Sequence, residues 1–197
     1  AGGDPSAEIF PPNCQAPAGW DLDPMYTGFQ RWSVASDSAS QGVCSFKSNP
    51  LPNLTGPQYA LYAFTGDFQA GTISFDARVS SSAGHGCFLF AIDTAWQNIG
   101  GGCPALGLGA LSGSAPFQAV NVLIGSGTHK IWILYYRDDN TNIAGSDAVW
   151  LDKFTMPLLT SITSSLTPSG QAQSAFSYQV VATNFPQTYV STMLPPG

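Results

Sequence analysis

Few residues in this sequence are able to carry chemistry, and its four cysteines are the most informative of them. Cysteines supply either metal ligands or disulfides, and the spacing separates the two uses. The four positions, Cys14, Cys44, Cys87 and Cys103, include no Cys-x-x-Cys pair, and the chain has only 2 His. Because a zinc site needs such clustered ligands, this pattern predicts disulfides instead.

The pairing of the cysteines follows from the position of a turn. Cys87 opens an apolar run, and the turn at 93–96 returns the chain toward Cys103. The midpoint between these two cysteines falls inside that turn, so we expect them to face each other across a hairpin. Cys14 and Cys44 then pair by elimination. Two disulfides predict a secreted protein, located outside the cell or at the cell surface.

The sequence offers little for catalysis. Glycoside hydrolysis needs two carboxylates, yet Glu8 is the only Glu and the Asp residues lie mostly in predicted loops. The nucleophile elbow, the phosphate loop and the His-Glu-x-x-His zinc motif are all missing from the sequence. We therefore predict that the protein is not an enzyme.

Composition limits the partners. Only 9% of the residues are charged and the net charge is -6, whereas 44% hydrophobic and 12% aromatic content is enough to build a core. Nucleic acids and anionic membrane surfaces both attract Lys and Arg, of which there are only 6. No stretch approaches the roughly 20 apolar residues of a membrane span. We predict no nucleic-acid partner and no membrane insertion.

The elements that must position any site are predicted to be strands. Gly and Pro interrupt the chain throughout, and in 71–80 apolar residues alternate with polar ones, as in a strand with one buried face. The run 130–136 is apolar and aromatic, 148–156 alternates, and an Asp/Asn-rich loop joins them. These two strands are predicted to form a hairpin. The fold class is all-β.

The order of short motifs carries a resemblance to a known module. Gly127-Thr128-His129, an aromatic strand and then the segment 145–152 (GSDAVWLD) look like its closing hairpin. Earlier segments match in order: Gly19-Trp20, Trp32, 42–48, 71–80, 88–93 and 117–122. The module is a jelly-roll β-sandwich of secreted bacterial proteins, distantly similar to MAM and carbohydrate-binding domains. The resemblance covers about residues 8–156, and it implies a jelly-roll domain that we place at residues 1–157.

A second resemblance begins after Pro157. The strand around 175–184 and the corner Leu194-Pro195-Pro196-Gly197 resemble the first half of a bacterial Ig-like repeat. Residues 158–197 are therefore predicted to form a partial Ig-like β-sandwich. Half a sandwich leaves apolar faces and open strand edges. The first domain, a strand donated by a neighbouring copy, or further residues of a longer chain would each complete it.

The first resemblance also implies a metal site. Jelly-roll carbohydrate modules often hold a structural Ca²⁺ between an N-terminal carboxylate and an Asp on the last strand. Glu8 and Asp152 stand at those places, and carboxylate oxygens suit Ca²⁺. The prediction is either no cofactor or one structural Ca²⁺ at these two residues.

One face departs from the resembling module, in which the outer face of this strand is polar. Here Trp132, Leu134 and Tyr136 point outward, with Leu89 beside them on a neighbouring strand and Trp96 in the following turn. A contiguous apolar face of this kind marks an interface or a ligand platform. Three explanations stay open: a cover from the same chain, a subunit interface, or aromatic rings that stack on sugars.

The predicted function combines these features. We predict a secreted, non-enzymatic structural or adhesive protein, such as a fibre or surface-assembly subunit. Its partners would be further copies of the chain, and a neighbour would complete the C-terminal half by strand donation. The alternative is a carbohydrate-binding module of a secreted polysaccharide-degrading enzyme, with a glycan as its partner.

Overall fold

The computed structural model describes residues 29–94, 103, 111–139, 141, 143–165 and 178–182, and its regular elements are all β-strands. This confirms the all-β prediction. Among the described residues, no helix has the length and hydropathy that crossing a membrane requires. The strands are β1 Trp32–Ala35, β2 Ser45–Ser48, β3 Gln58–Phe68, β4 Gly71–Ser80, β5 Gly86–Ile92, β6 Leu111–Ser112, β7 Ser114–Ile124, β8 Gly127–Arg137 and β9 Ala148–Thr155.

Two antiparallel sheets form a sandwich. One has five strands in the order β1-β2-β9-β4-β7, and the other has four in the order β3-β8-β5-β6. The chain passes between the sheets at Gly113, which separates β6 from β7 and adopts a φ of 80°. Glycine suits this corner because an L side chain is strained at such a φ.

The predicted hairpin between 130–136 and 148–156 is wrong. Strand β8 lies in the four-stranded sheet and β9 in the five-stranded sheet, so the loop between them crosses the sandwich. Asp147 anchors the crossing: it accepts a hydrogen bond of 2.6 Å from the Tyr135 hydroxyl and forms an ion pair with the buried Arg137. Burial and the Asp147 carboxylate raise the pKa of Tyr135, which therefore stays a neutral donor.

The first core lies between the two sheets. The alternation predicted for 71–80 is confirmed, because Ile73, Phe75, Ala77 and Val79 all face inward and are buried. Phe75 stacks on Phe154 with ring centroids 5.0 Å apart and an interplanar angle of 6°. Burying each side chain of this kind stabilises the fold by about 1.5–3 kcal/mol.

A second core covers the outer face of the four-stranded sheet. Trp132 is 4% exposed and Leu134 2%, and the cluster also holds Leu61, Leu89, Tyr136, Cys87 and Cys103. The prediction that Trp132, Leu134, Tyr136 and Leu89 form an interface or ligand face is therefore wrong. These side chains are buried within a single chain, as the first of the three explanations proposed. Trp96 lies outside the described residues.

The predicted Cys87–Cys103 disulfide is confirmed, and it helps to explain why the outer face of the four-stranded sheet is buried. Its Cα atoms are 5.5 Å apart, and it holds residue 103 against the outer face of β5. Phe29 also packs against the second core. Cys44 is disulfide-bonded as well, but Cys14 lies outside the described residues, so the Cys14–Cys44 pairing stays a prediction.

The chain after β9 is described in two short stretches. Leu158 bridges Phe68 and is buried in the first core, while farther along Ile162 bridges Ala182 in antiparallel fashion. These contacts do not amount to an Ig-like sandwich in the described part of the chain. The partial Ig-like domain at 158–197 and the domain boundary at 157 stay predictions.

A matched pair of substitutions tests the second core. Leu134→Ala should lower the free energy of unfolding by about 2–5 kcal/mol, because it leaves a cavity in a packed cluster. Leu54→Ala removes the same atoms from a loop side chain that is 58% exposed and should change stability by less than about 0.5 kcal/mol. Urea unfolding of the two variants checks this, and equal small losses would show that the outer face is open to water.

Candidate ligand-binding site

Trp150 organises the outer face of the five-stranded sheet. It lies on β9 with Lys47 of β2 as its partner on one side and Arg78 of β4 on the other. The Lys47 Nζ atom is 4.8 Å from a Trp150 ring centroid and the Arg78 Cζ atom is 4.7 Å away, so both cations lie over the indole. Trp150 itself is 2% exposed and thus positions its neighbours without contacting a ligand.

The loop 36–43 folds over this cluster and is fixed by polar contacts. Asp37 accepts a hydrogen bond of 2.9 Å from Trp150 Nε1 and another of 2.5 Å from Lys47 Nζ. Arg78 Nη1 donates to the Ser38 hydroxyl at 2.5 Å. Burial by itself raises the pKa of Asp37. The hydrogen bonds from Lys47 and Trp150 outweigh this effect and hold the pKa of Asp37 below its usual 3.8. The carboxylate therefore stays charged where the loop meets the sheet.

Asp152 anchors the far end of the same loop. Its Oδ2 atom accepts hydrogen bonds from the backbone N–H groups of Ser40, at 2.6 Å, and Gln41, at 2.8 Å. Its Oδ1 atom accepts a third from the Lys153 N–H at 2.8 Å. The Ser40 hydroxyl reaches the neighbouring Asp76 at 2.7 Å. Two carboxylates on adjacent strands thus bind one turn of the loop.

These contacts give Asp152 a structural role in the described part of the chain, and the calcium site at Glu8 and Asp152 stays a prediction. The side chain is 1% exposed, and its oxygens already accept from three N–H donors. Among the described residues, no group of three or more His, Cys, Asp or Glu side chains is arranged to hold a metal ion. Glu8, the other predicted ligand, lies outside the described residues. Asp152 is a loop anchor.

Asp76 and Asp152 also form the kind of carboxylate pair that sequence reasoning did not find. They are partners across β4 and β9, a contact that depends on the strand register. A glycosidase acid, however, needs a raised pKa. Burial by itself raises the pKa of Asp76. The hydrogen bonds from Lys153 and Ser40 outweigh burial and hold this pKa below its usual 3.8. Asp76 therefore holds the Ser40 hydroxyl of the loop and the Lys153 ammonium as a charged carboxylate.

An open groove of about 510 Å³ lies between loop 36–43 and the start of β7. A bulge in β7 forms one wall: Ala77 pairs with Gln118 and Val79 pairs with Ala115, so that Arg78 faces two residues, Pro116 and Phe117. The lining residues are Ser38, Ala39, Arg78, Val79, Ser80, Ser114, Ala115, Pro116 and Phe117. The volume falls within the roughly 300–1,000 Å³ of small-molecule sites.

The groove combines polar donors with apolar rings. Arg78 presents a guanidinium whose direction is set by Trp150 below it and Ser38 beside it. On the opposite wall Pro116 is exposed and Phe117 is half-buried, and both residues line the groove. The lining contains no carboxylate. Such a groove can bind a polar, uncharged or anionic molecule that has an apolar face.

The two histidines lie at the ends of the four-stranded sheet, and each is paired with an aspartate. His85 Nδ1 lies 2.6 Å from Asp138 Oδ2, and His129 Nδ1 lies 2.7 Å from Asp93 Oδ2. Asp93 also accepts a hydrogen bond from the Lys130 N–H at 2.8 Å, which ties the end of β5 to β8. The bond from His129 lowers the pKa of Asp93. Both pairs link neighbouring segments of the sheet.

Comparisons with known proteins give distant matches. No protein-family model matches the sequence, and no curated protein matches it. The carbohydrate-binding module TmCBM61, solved in complex with β-1,4-galactotriose, is similar with a TM-score of 0.37 and 13% identity, over 65% of this chain and 82% of that one. The CBM22-1 xylan-binding domain of Paenibacillus barcinonensis Xyn10C is similar with a TM-score of 0.34 and 12% identity, over 71% and 89%.

Substitution of Asp152 tests its role as a loop anchor. Asp152→Asn replaces one acceptor oxygen by an N–H₂ donor, so at least one of the backbone N–H groups of Ser40, Gln41 and Lys153 loses its partner. We expect a loss of about 1–3 kcal/mol in the free energy of unfolding. Thermal unfolding of the wild type should be the same in EDTA and in excess Ca²⁺. A rise in Tm with Ca²⁺ that Asp152→Asn abolishes would restore the metal-ligand assignment.

The lowered pKa of Asp76 predicts a pH-dependent contribution to stability. A carboxyl whose folded pKa lies below its unfolded value of 3.8 stabilises the fold above that value, and the gain disappears as the pH falls through the folded pKa. The Tm difference between wild type and Asp76→Asn should therefore be larger at pH 7 than near pH 2. Ser74→Ala, on the same strand, removes no titrating group, and its Tm difference should not change. A constant gap for Asp76→Asn would contradict the shift.

Proposed function

We propose that this protein is a non-catalytic carbohydrate-binding module and that its ligand binds in the groove beside Arg78. One observation carries the proposal: the groove brings an oriented guanidinium, serine hydroxyls and an aromatic wall together at an open surface. In this proposal residues 1–157 form a jelly-roll binding domain, and residues 158–197 begin an Ig-like repeat.

The chemistry of a sugar ring matches the two walls. Sugar hydroxyls need several hydrogen-bond partners, which Arg78 and Ser38 supply from one side, while Ser114 adds a hydroxyl from the start of β7. The C–H face of the ring needs an apolar surface, and Phe117 with Pro116 supplies it from the other side. Because the groove is open, the remainder of a longer glycan chain has room to leave it. A binding role needs no acid–base pair, in agreement with the lining.

In this proposal the ligand binds to the five-stranded sheet, opposite the Trp132 face that was one of the three explanations left open by the sequence. Trp132 and Tyr136 are buried inside the chain and cannot stack on a sugar. The five-stranded sheet instead carries the polar and charged outer face on which the groove lies. The Cys87–Cys103 disulfide is consistent with an extracellular location, where polysaccharides are met. Attachment to a polysaccharide-degrading enzyme remains part of the proposal.

A structural or adhesive role in an assembly is a second candidate function. One observation favours it: β7 is a long, uncharged strand at the edge of its sheet. The completion of the C-terminal half by a neighbouring copy remains a prediction. The two functions are compatible, because a surface-assembly subunit can also bind glycans.

Glycan binding by matched variants tests the proposal. Against a polysaccharide panel that includes β-1,4-galactan and xylan, the wild type should bind at least one glycan. Phe117→Ala and Arg78→Gln should each weaken that binding about tenfold or more, which corresponds to about 1.4 kcal/mol. Leu54→Ala, an exposed apolar residue outside the groove, should bind as the wild type does. Isothermal titration gives the constants, and circular dichroism confirms folding.

Two results would overturn the assignment. The first is a folded wild type that binds no glycan in the panel. The second is glycan binding that neither groove variant weakens, which would place the ligand elsewhere on the surface.

A further inference from the structure

Strand β7 presents an open edge of the five-stranded sheet. It spans Ser114–Ile124, and its partner in the sheet is β4 on one side. Its other side faces solvent: more than half of its residues are exposed, and Leu123 is 82% exposed. A row of backbone N–H and C=O groups along such an edge is a template for pairing with another strand.

The other three sheet edges are shortened or covered. Strand β1 has four residues and β6 has two. The edge of β3 is covered at one end by Gln30, whose N–H donates to Tyr59 O, and at the other by the Leu159 N–H, which donates to Asp67 O. Short and covered edges are the usual means of preventing strand addition. Within the described residues, strand β7 is neither short nor covered.

Charge does not protect β7 either. The sequence from Thr94 to Thr128 contains no Asp, Glu, Lys or Arg, although the chain has a net charge of -6. Lysine and other charges on an edge strand normally prevent its association with a second copy. Two copies of an acidic chain repel each other least where they present uncharged surfaces, so β7 is the edge at which a second copy can approach.

We propose that two copies of this protein associate through antiparallel β7–β7 pairing about a two-fold axis at Asn121. The pairing joins two five-stranded sheets into one continuous sheet. It uses the segment 118–124 and leaves out the bulge at Pro116, which has no N–H to donate. This inference does not depend on glycan binding, because the groove lies at the other end of β7.

The register about Asn121 is self-complementary, as a two-fold interface requires. The exposed Leu123 lies opposite the small Ala119 of the partner subunit, and Val120 lies opposite the partner's Val122. Asn121 meets the partner's Asn121, and an amide can both donate to and accept from its symmetry mate. Cross-strand pairs of this kind each contribute roughly 0.2–1 kcal/mol.

The mass of the full-length chain in solution tests the association. Light scattering after size exclusion should show a dimer that dissociates on dilution. Asn121→Lys places two like charges opposite each other on the axis and should shift the chain to monomer at the same concentration. Leu54→Lys makes the same kind of change at an exposed loop residue and should remain dimeric. A monomeric wild type at all concentrations would overturn the proposal and leave the edge to a strand of another protein.

A cysteine variant tests the register and keeps the proposal falsifiable if Asn121→Lys does not fold. In Asn121→Cys the two new cysteines lie directly opposite each other across the two-fold axis. The Cα atoms of directly opposite residues lie within the roughly 4.4–6.8 Å that a disulfide spans. Mild oxidation, with oxygen as the oxidant, should therefore give a covalent dimer on non-reducing gels. Leu54→Cys should cross-link far more slowly. Equal rates for the two variants would contradict the β7 interface.

Discussion

The structure depends on one constraint: the four-stranded sheet is apolar on both faces and must be buried on both. Its inner face packs against the other sheet, and its outer face is covered within the same chain, where the Cys87–Cys103 disulfide holds residue 103 in place. Because this sheet is enclosed, it is the five-stranded sheet that presents a polar outer face in the described part of the chain. There the outer face keeps the alternation of a half-exposed strand, and Lys47, Arg78 and Asp76 point away from the core.

The outer face of the five-stranded sheet is shaped by a loop and a bulge. The loop 36–43 is held at one end by the cations around Trp150 and at the other by Asp152 and Asp76. The bulge in β7 sets Phe117 opposite Arg78. Ionised carboxylates anchor the loop, and the hydrogen bonds that they accept lower the pKa of Asp37 and Asp76. The loop and the bulge together form the two walls of the open groove beside Arg78.

Local patterns in the sequence predicted the strands well and their partners poorly. The alternation in 71–80 and the Cys87–Cys103 pairing depend on neighbours along the chain, and both are confirmed. The predicted hairpin of β8 and β9 is wrong. A loop that joins two strands of one sheet and a loop that crosses from one sheet to the other have similar sequences. The apolar face around Trp132 was recognised, but periodicity cannot say what covers it. Arg78 and Phe117 carry no motif, and only register and the bulge bring them together.

Hydroxyl-radical footprinting of the dilute protein, read out by mass spectrometry, tests the central claim most directly. The claim is that the Trp132 face is enclosed within one chain while the groove is open. The account predicts slow oxidation of Trp132 and Tyr136, at rates close to that of the core residue Phe75, and fast oxidation of the exposed reference Leu54. Oxidation of Trp132 as fast as that of an exposed tryptophan in an unfolded control would contradict it.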